Sequence, residues 1–352
     1  MSHFCLLKDP DSYQPNEPDL LGDDEARQYW LTRFVTHFHD EIVPNANRQF
    51  GPAATERIDA ATEAFQAAVE EVRAGDAFPG ARAVIELGHR RQRLLREHDI
   101  EDPFLIIKEQ ENASAIELYP EAMEDLQSLP KDEIWFQLLE MALAGNVFDL
   151  GNPKEFGAGG RDAFLKTFET LPEHPWLIDD VDAFEAELLD AGAVAKWSKA
   201  VAFIDNAGCD FVLGMLPLVR ELALHGTQVV LAANTHPVLN DLTADDTYDL
   251  LERLAILDDE LNALLEGDMI TVVGTGSELA ILDLADVPDA FNEAAADSEL
   301  VIIEGMGRAL ETNLDAEFGV DTLRLAMVKD PFVAKRLGGQ LRDCVCKYTP
   351  AG

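Results

Sequence analysis

The sequence predicts an α/β protein: a largely parallel sheet flanked by helices, entered through a mainly helical N-terminal region. Up to about residue 150, apolar residues recur at steps of three or four with few β-branched runs between them, the period of a helix with one buried face. After Ser198 the texture changes. Short aliphatic runs, VAFI at 201–204, QVVLAA at 228–233, MITVV at 269–273, LVII at 300–303 and LRLAMV at 323–328, alternate with helical stretches. Strands covered on both faces read as continuous aliphatic runs, and their alternation with helices marks parallel strands joined by crossovers.

The clearest early helix spans 54–73, where Ile58, Ala61, Phe65, Val69 and Val72 fall on one face and Gly75 follows as a stop. Similar patterns predict helices over 81–97, 113–128 and 132–144, and a further one over 180–198 leads into the second half. A last run, DCVCKY at 343–348, is expected as an edge strand. There is no internal repeat and no low-complexity segment. The expected division is a helical region over 1–150 followed by an α/β domain over 151–352.

Composition narrows the function classes. With 47% hydrophobic residues the chain can bury a large core. It has no apolar run of about 18 residues, and its opening MSHFCLLKDPDSYQPNEPD has neither a basic start nor an apolar signal core. A cytoplasmic location is expected. Four cysteines, Cys5, Cys209, Cys344 and Cys346, are too few and too uneven for a disulfide framework, and reduced thiols are expected. The net charge of −40, from 67 acidic against 27 basic residues spread along the whole chain, argues against nucleic acid and anionic membranes as partners. It suits either an ordinary acidic enzyme or a protein at work in concentrated salt, where screening removes self-repulsion. An anionic substrate would have to be held by a locally positive site, supplied by a bound cation and a few selected basic residues.

In open α/β sheets ligands bind outside the carboxyl ends of the strands. Asp205 and Asn206 follow the first run, and Asn234 follows the second, with Asp241 slightly beyond. GTGS at 274–277 follows the third, Glu304, Gly305, Met306, Gly307 and Arg308 follow the fourth, and Lys329 follows the fifth. Asp205, Asn206 and Asp241 offer the hard oxygen donors that suit Mg²⁺ or Mn²⁺, ions that keep positions open for substrate phosphate. The competing reading is that both aspartates cap helices. In GMGRAL (305–310) and GTGSEL (274–279) leucine stands where a dinucleotide fingerprint needs its third glycine, so a Rossmann coenzyme is disfavoured. These glycines either bring backbone N–H groups to a phosphate or make tight turns. P-loop and nucleophile-elbow motifs are absent. Cys344 and Cys346 read as packed thiols, Cys209 as a helix residue, and His37 and His39 as surface residues without a role.

The segment FIDNAGCDFVLGMLPLVRELALHGTQVVLAANTHPVLND at 203–241 strongly resembles the metal-dependent damage-control phosphatases, a family first known as a domain of unknown function. The likeness continues in EGMGRALETN (304–313), LRLAMVKDPFVAKRLGG (323–339), KEQENASAI (108–116), AGNVFDLG (144–151) and PWLIDD (175–180). It is greatest for the branch containing 4'-phosphopantetheine phosphatase and a phosphatase domain fused to a pantothenate-kinase-like protein. The resemblance implies a three-layer α/β/α architecture, metal ligands at Asp205, Asn206 and Asp241, and a phosphate-contacting lysine at Lys329. It also implies that Asn146 and Asp149 face the site from the helical part. Ala207, Leu150 and His236 depart from the family pattern, which bears on the substrate and not on the metal.

Together these readings predict hydrolysis of a phosphomonoester, with a divalent cation (Mg²⁺, Mn²⁺, Co²⁺ or Ni²⁺) as Lewis acid and template. Lys329 and Arg308 would neutralise phosphoryl charge, and Glu304, Gly305 and Gly307 would line the substrate site. The nucleophile is left open between water and Asp205, as is the choice between monomer and oligomer. The expected substrate is 4'-phosphopantetheine or an oxidised form, which would place the chain in coenzyme A metabolism. The alternatives are a sugar-phosphate phosphatase of the same family and a protein that binds a phosphometabolite without turning it over. A haloacid-dehalogenase mechanism is disfavoured because DNAGCD lacks an acid two residues after Asp205.

Overall fold

Each aliphatic run after Ser198 forms a strand, because only a covered sheet buries both faces of such a run. A computed structural model describes residues 2–20, 22–75, 83–148, 167–168, 170–191 and 195–352. Among these residues, helices come first: α1 (Asp24–His37), α2 (Val43–Phe50), α3 (Thr55–Ala74), α4 (Ala83–Glu97), α5 (Leu105–Gln127) and α6 (Ile134–Phe148). The strands follow: β1 (Ile178–Asp179), β2 (Lys199–Phe203), β3 (Gln228–Ala233), β4 (Ile270–Gly274), β5 (Leu300–Glu304), β6 (Asp321–Met327) and β7 (Cys344–Thr349). Their order in the single sheet is β1-β7-β6-β5-β2-β3-β4, parallel throughout except for the β6–β7 pair.

Alternate residues of the central strands enter different cores. Ala200, Ala202, Leu231, Ile302 and Leu325 join the side chains of α5 and α6, including Tyr119 and Leu139. Val201, Phe203, Val230, Val301 and Ile303 join a second core on the opposite face, with Phe4, Phe291 and Leu310. The sheet is therefore the middle of three layers. A third core lies within the N-terminal helices, where Phe38 stacks on Phe65 at 4.8 Å.

Three sequence expectations are corrected. Strand β7 is not at the edge, because β1 pairs with its far side through Ile178 and Asp179; two residues are too short a strand to read from a pattern. The helix expected over 180–198 runs only from Val181 to Ala191, and the chain is extended again at Lys199, where Gln228 and its neighbours offer strand partners. The first residues do not belong to the helical region: Phe4 stacks on Phe291 at 5.2 Å, and Ser2 bridges to Val287, so this stretch covers the sheet. No helix among the described residues is long and apolar enough to cross a membrane.

Helix α5 is tied by a buried cation to the helix Ala244–Ala255 that follows β3. Lys108 Nζ lies 3.0 Å from Asp102 and 2.8 Å from Asp246. Burial disfavours its charge, but the two carboxylates outweigh this and raise its pKa. Removing one member of such a cluster leaves desolvated carboxylates uncompensated. Lys108→Ala is expected to lower the unfolding free energy in urea by about 2 kcal/mol, reduced from the fully buried case because both acids keep some solvent.

Candidate active site

The sheet order places a switch point between β2 and β5: from β2 the chain moves outward to β3, and from β5 it moves the other way to β6. The crevice outside such a pair is where open α/β sheets bind ligands. Asp205 follows β2, and Glu304 ends β5.

A short backbone clasp brings the second strand end to the first. Leu242 N–H donates to Asp205 O at 3.0 Å, and Ala207 N–H donates to Asn240 O at 2.9 Å. Asn206 and Asp241 thereby form an isolated antiparallel bridge. From beyond β5, Arg308 ion-pairs with Asp205 and reaches Asp241 Oδ2 at 2.7 Å, while Asn234 Nδ2 donates to the same oxygen at 3.2 Å. Neither aspartate caps a helix. The helix after Asp241 is capped by a Thr243–Asp246 box, and the wide-turned helical segment Asp210–Met215 starts after Cys209 without a side-chain cap.

Asp205, Asp210 and Glu304 are all buried, and one oxygen of each lies within 4.8 Å of the others. Asn146, on α6, donates through Nδ2 to Glu304 Oε1 at 2.6 Å and to Asp210 Oδ2 at 3.3 Å. Asn206 Nδ2 donates to Asp210 Oδ2 at 2.8 Å. Three buried carboxylates so close together repel unless a cation or protons join them. The donors are all oxygens, the set a hard divalent ion prefers, and Asn146 Oδ1 is a further buried oxygen with no hydrogen-bond partner among the described residues. The residues therefore fit a divalent cation. The sequence reading overlooked Asp210. Its only signal was the second acid of DNAGCD, five residues after Asp205, and nothing local shows that the intervening turn folds it back.

Asn112 of the KEQENASAI segment and Gly145 of the AGNVFDLG segment buttress this turn. Asn112 Oδ1 accepts from Gly208 N–H at 2.7 Å. Gly145 lets α6 approach so closely that a Cβ there would lie 2.9 Å from Cys209 O. Gly305 has a φ of +96°, and a Cβ on it would fall inside contact distance of Asp205 Oδ2. The expectation that its N–H serves a phosphate is corrected: it donates to Leu325 O at 3.1 Å within the sheet. The GTGSEL loop is likewise a packing turn. Gly276 N–H donates to Thr235 Oγ1 at 2.7 Å, and Glu278 binds His89 Nδ1 at 3.0 Å and Arg96, both on α4.

Above the strand ends lies a cavity of about 1210 Å³, lined by Asp205, Asn206, Asp241, Gly307 and Lys329 from the sheet side and by Arg33, His37 and Arg91 from the helices. Lys329 is half-buried there, and its backbone N–H points to Met306 Sδ at 3.1 Å. Glu304, Arg308 and Asn146 are buried and do not line the cavity. Asp149 lies outside the described residues. His37 is not the surface residue expected. Burial pulls its pKa down to about 3, with Arg91 and Arg33 adding to the effect. His39 is exposed. Burial pushes the Cys209 thiol up to about 12, with Glu111 and Asp210 contributing, so it is no nucleophile.

The profile of the damage-control phosphatase ARMT1-like domain matches residues 30–345. A damage-control phosphatase of Arabidopsis thaliana is 38% identical over 303 residues, 84% of this chain and 81% of that protein. Pantothenate kinase 2 of Arabidopsis thaliana is 34% identical over 375 residues, and the mouse (Mus musculus) 4'-phosphopantetheine phosphatase is 32% identical over 403. The match covers 99% and 97% of this chain but only 42% and 48% of those two proteins. A DUF89 family protein of Pyrococcus horikoshii, known from its crystal structure, shares the fold with a TM-score of 0.66 at 19% identity, covering 97% of this chain and 100% of that one.

Two outcomes follow from this geometry. Gly305→Ala is expected to keep the sheet but displace Asp205, lowering divalent-metal affinity at least about tenfold in calorimetric titration, because the new methyl needs the space of the carboxylate. For Glu278, burial opposes ionisation, but hydrogen bonds from His89 and Arg96 outweigh it and hold the carboxyl down at about 2 against an ordinary 4.5. A lowered folded-state pKa contributes stability above the unfolded pKa and loses it as pH falls. The stability gap between the parent and Glu278→Gln should therefore be full above pH 4.5 and close towards pH 2 in urea titrations.

Proposed function

Because the chain belongs to the damage-control phosphatase ARMT1-like domain family, we propose that it is a divalent-metal-dependent phosphatase that hydrolyses a phosphomonoester metabolite at the cleft between β2 and β5. The observation that carries this reading is the convergence, at one switch point, of the Asp205–Asp210–Glu304 cluster, the Arg308 bridge and the Lys329 side of the cavity. Asp205 would hold the cation together with Asn206 and Asp241 at the cavity floor, and Asp210 and Glu304 offer further oxygens behind it. When bound, the ion supplies Lewis-acid polarisation of a phosphoryl oxygen and a template for in-line attack.

The chain's own residues do the rest. Arg308 holds Asp205 and Asp241 in orientation, a positioning role and not the direct phosphoryl contact first expected, since its guanidinium is committed to two carboxylates. Lys329 brings an ammonium to the cavity wall, where it offsets charge that grows as the phosphoryl group transfers. The helical side covers the cavity and limits water around the reacting group.

4'-Phosphopantetheine, or an oxidised form of it, is the substrate we propose, which would place the chain in coenzyme A metabolism and in the cytoplasm. The support is the segment likeness to that branch and the activity for which the mouse relative is named. A phosphate-release screen with Mg²⁺, Mn²⁺, Co²⁺ and Ni²⁺, at low and high salt, tests this. Release from 4'-phosphopantetheine should exceed that from fructose phosphates and stop on chelation. Greater release from sugar phosphates overturns the substrate, and no release from any ester with any metal overturns the phosphatase reading.

Asp241→Ala should nearly abolish both turnover and metal binding. Lys329→Ala should bind metal normally and lose about 10²- to 10³-fold in rate, the range for one electrostatic donor to a developing charge. Parent-like metal affinity and turnover in Asp241→Ala would refute its assignment.

A further inference from the structure

Arg308 and Arg91 are both buried near the proposed metal cradle, and they differ in what they meet. Arg308 is ion-paired with Asp205 and Asp241. Arg91, on α4, is 7% exposed, and its Nε has no hydrogen-bond partner among the described residues. A buried guanidinium with an unmet donor is costly, and such sites usually mark a missing ligand or a functional role. Arg91 also lines the same cavity as Asp205, Asp241 and Lys329.

Helix α4 is built to hold this side chain in place. Val84, Gly88 and Arg91, spaced by four and three, turn one face to the cavity. The positions around Arg91 are tied to the loops beyond the strand ends. A Cβ on Gly88 would lie 2.8 Å from Leu279 Cδ2, and Gln92 Nε2 donates to Pro237 O at 3.2 Å in the loop that carries Asp241. His89 and Arg96 both bind Glu278. Asp241 is the carboxylate whose charge supports ionisation of Arg91 against the larger effect of burial. In a chain of net charge −40, a buried cation on this cavity supplies the local positive charge that an anionic ligand needs.

We infer that Arg91 binds the phosphoryl group of the substrate, its guanidinium gripping the non-bridging oxygens from the helical side while Lys329 meets them from the sheet side. This rests on the phosphatase reading for its substrate, but the contact itself is with inorganic phosphate chemistry. A planar fork of donors matches two phosphate oxygens at once, which lysine does not.

The test is calorimetric binding of inorganic phosphate to the full chain in saturating Mn²⁺, together with Mn²⁺ titration of each variant. Arg91→Gln should weaken phosphate at least about tenfold with Mn²⁺ affinity unchanged, and Arg91→Lys should recover only part of the loss because charge without the fork remains. Unchanged phosphate affinity in Arg91→Gln, or a parent chain that binds no phosphate, overturns the inference. If Arg91→Gln fails to fold, Arg91→Lys decides: weakened phosphate with normal Mn²⁺ supports it, and parent-like phosphate overturns it. Because binding needs no turnover, a parent that binds phosphate through Arg91 yet releases none from any ester would sink the hydrolysis reading and leave this contact standing.

Discussion

The ion pair from Arg308 to Asp205 and Asp241 is the constraint on which the site depends. All three groups are buried, and in a medium of low polarity each is tolerable only with its partners in place. One cation thus fixes three chain segments: the residues after β2, the loop beyond β3 and the turn after β5. The Asn206–Asp241 bridge closes the same triangle through the backbone. A side chain on Gly305 would intrude on Asp205, so the turn can deliver Arg308 only through a residue without a Cβ.

The excess of acid is unequally distributed between surface and interior. Among the described residues Arg91, Lys108, Arg220, Arg308 and Arg324 are buried, a notable share of the 27 basic residues of the chain. Most of them counter carboxylates: Lys108 meets the half-buried Asp102 and Asp246, and Arg220 meets the half-buried Asp258 and the exposed Glu260. The scarce cations hold elements together from within while most of the acids outside the site face solvent, where screening makes their repulsion tolerable. Arg91 stands apart, since its charge is placed towards the cavity.

The three cores also explain how a helical region becomes part of an active site. Helices α5 and α6 bury residues in the same core as alternate positions of the sheet, and so carry Asn112 and Asn146 to the turn after β2. The earlier helices form their own core and reach the strand ends through α4, whose contacts with Pro237 and Glu278 are polar. The cavity therefore has a floor set by the sheet and a roof set by separate packing.

What the amino-acid sequence determined by itself is what depends on neighbours in the chain. Aliphatic runs specified β2 to β6 nearly to the residue, periodicity specified α3 to α6, and the rule of strand ends drew attention to Asp205, Asn206, Asp241, Glu304, Arg308 and Lys329. Each of these follows from spacing within a few residues. The tertiary structure alone decided the rest. Strand β7 lies inside the sheet because a two-residue strand closes over it, and no pattern marks so short an element. Asp210 joins Glu304 across more than ninety residues of chain only because Gly145 lets α6 come close and Asn146 bridge them. Arg308 turned from a residue open to substrate into a partner of two carboxylates, and Arg91 passed from an unremarked helix position to the cavity wall. Such outcomes depend on which distant charges share a desolvated space, and that is set by packing, which no local period encodes.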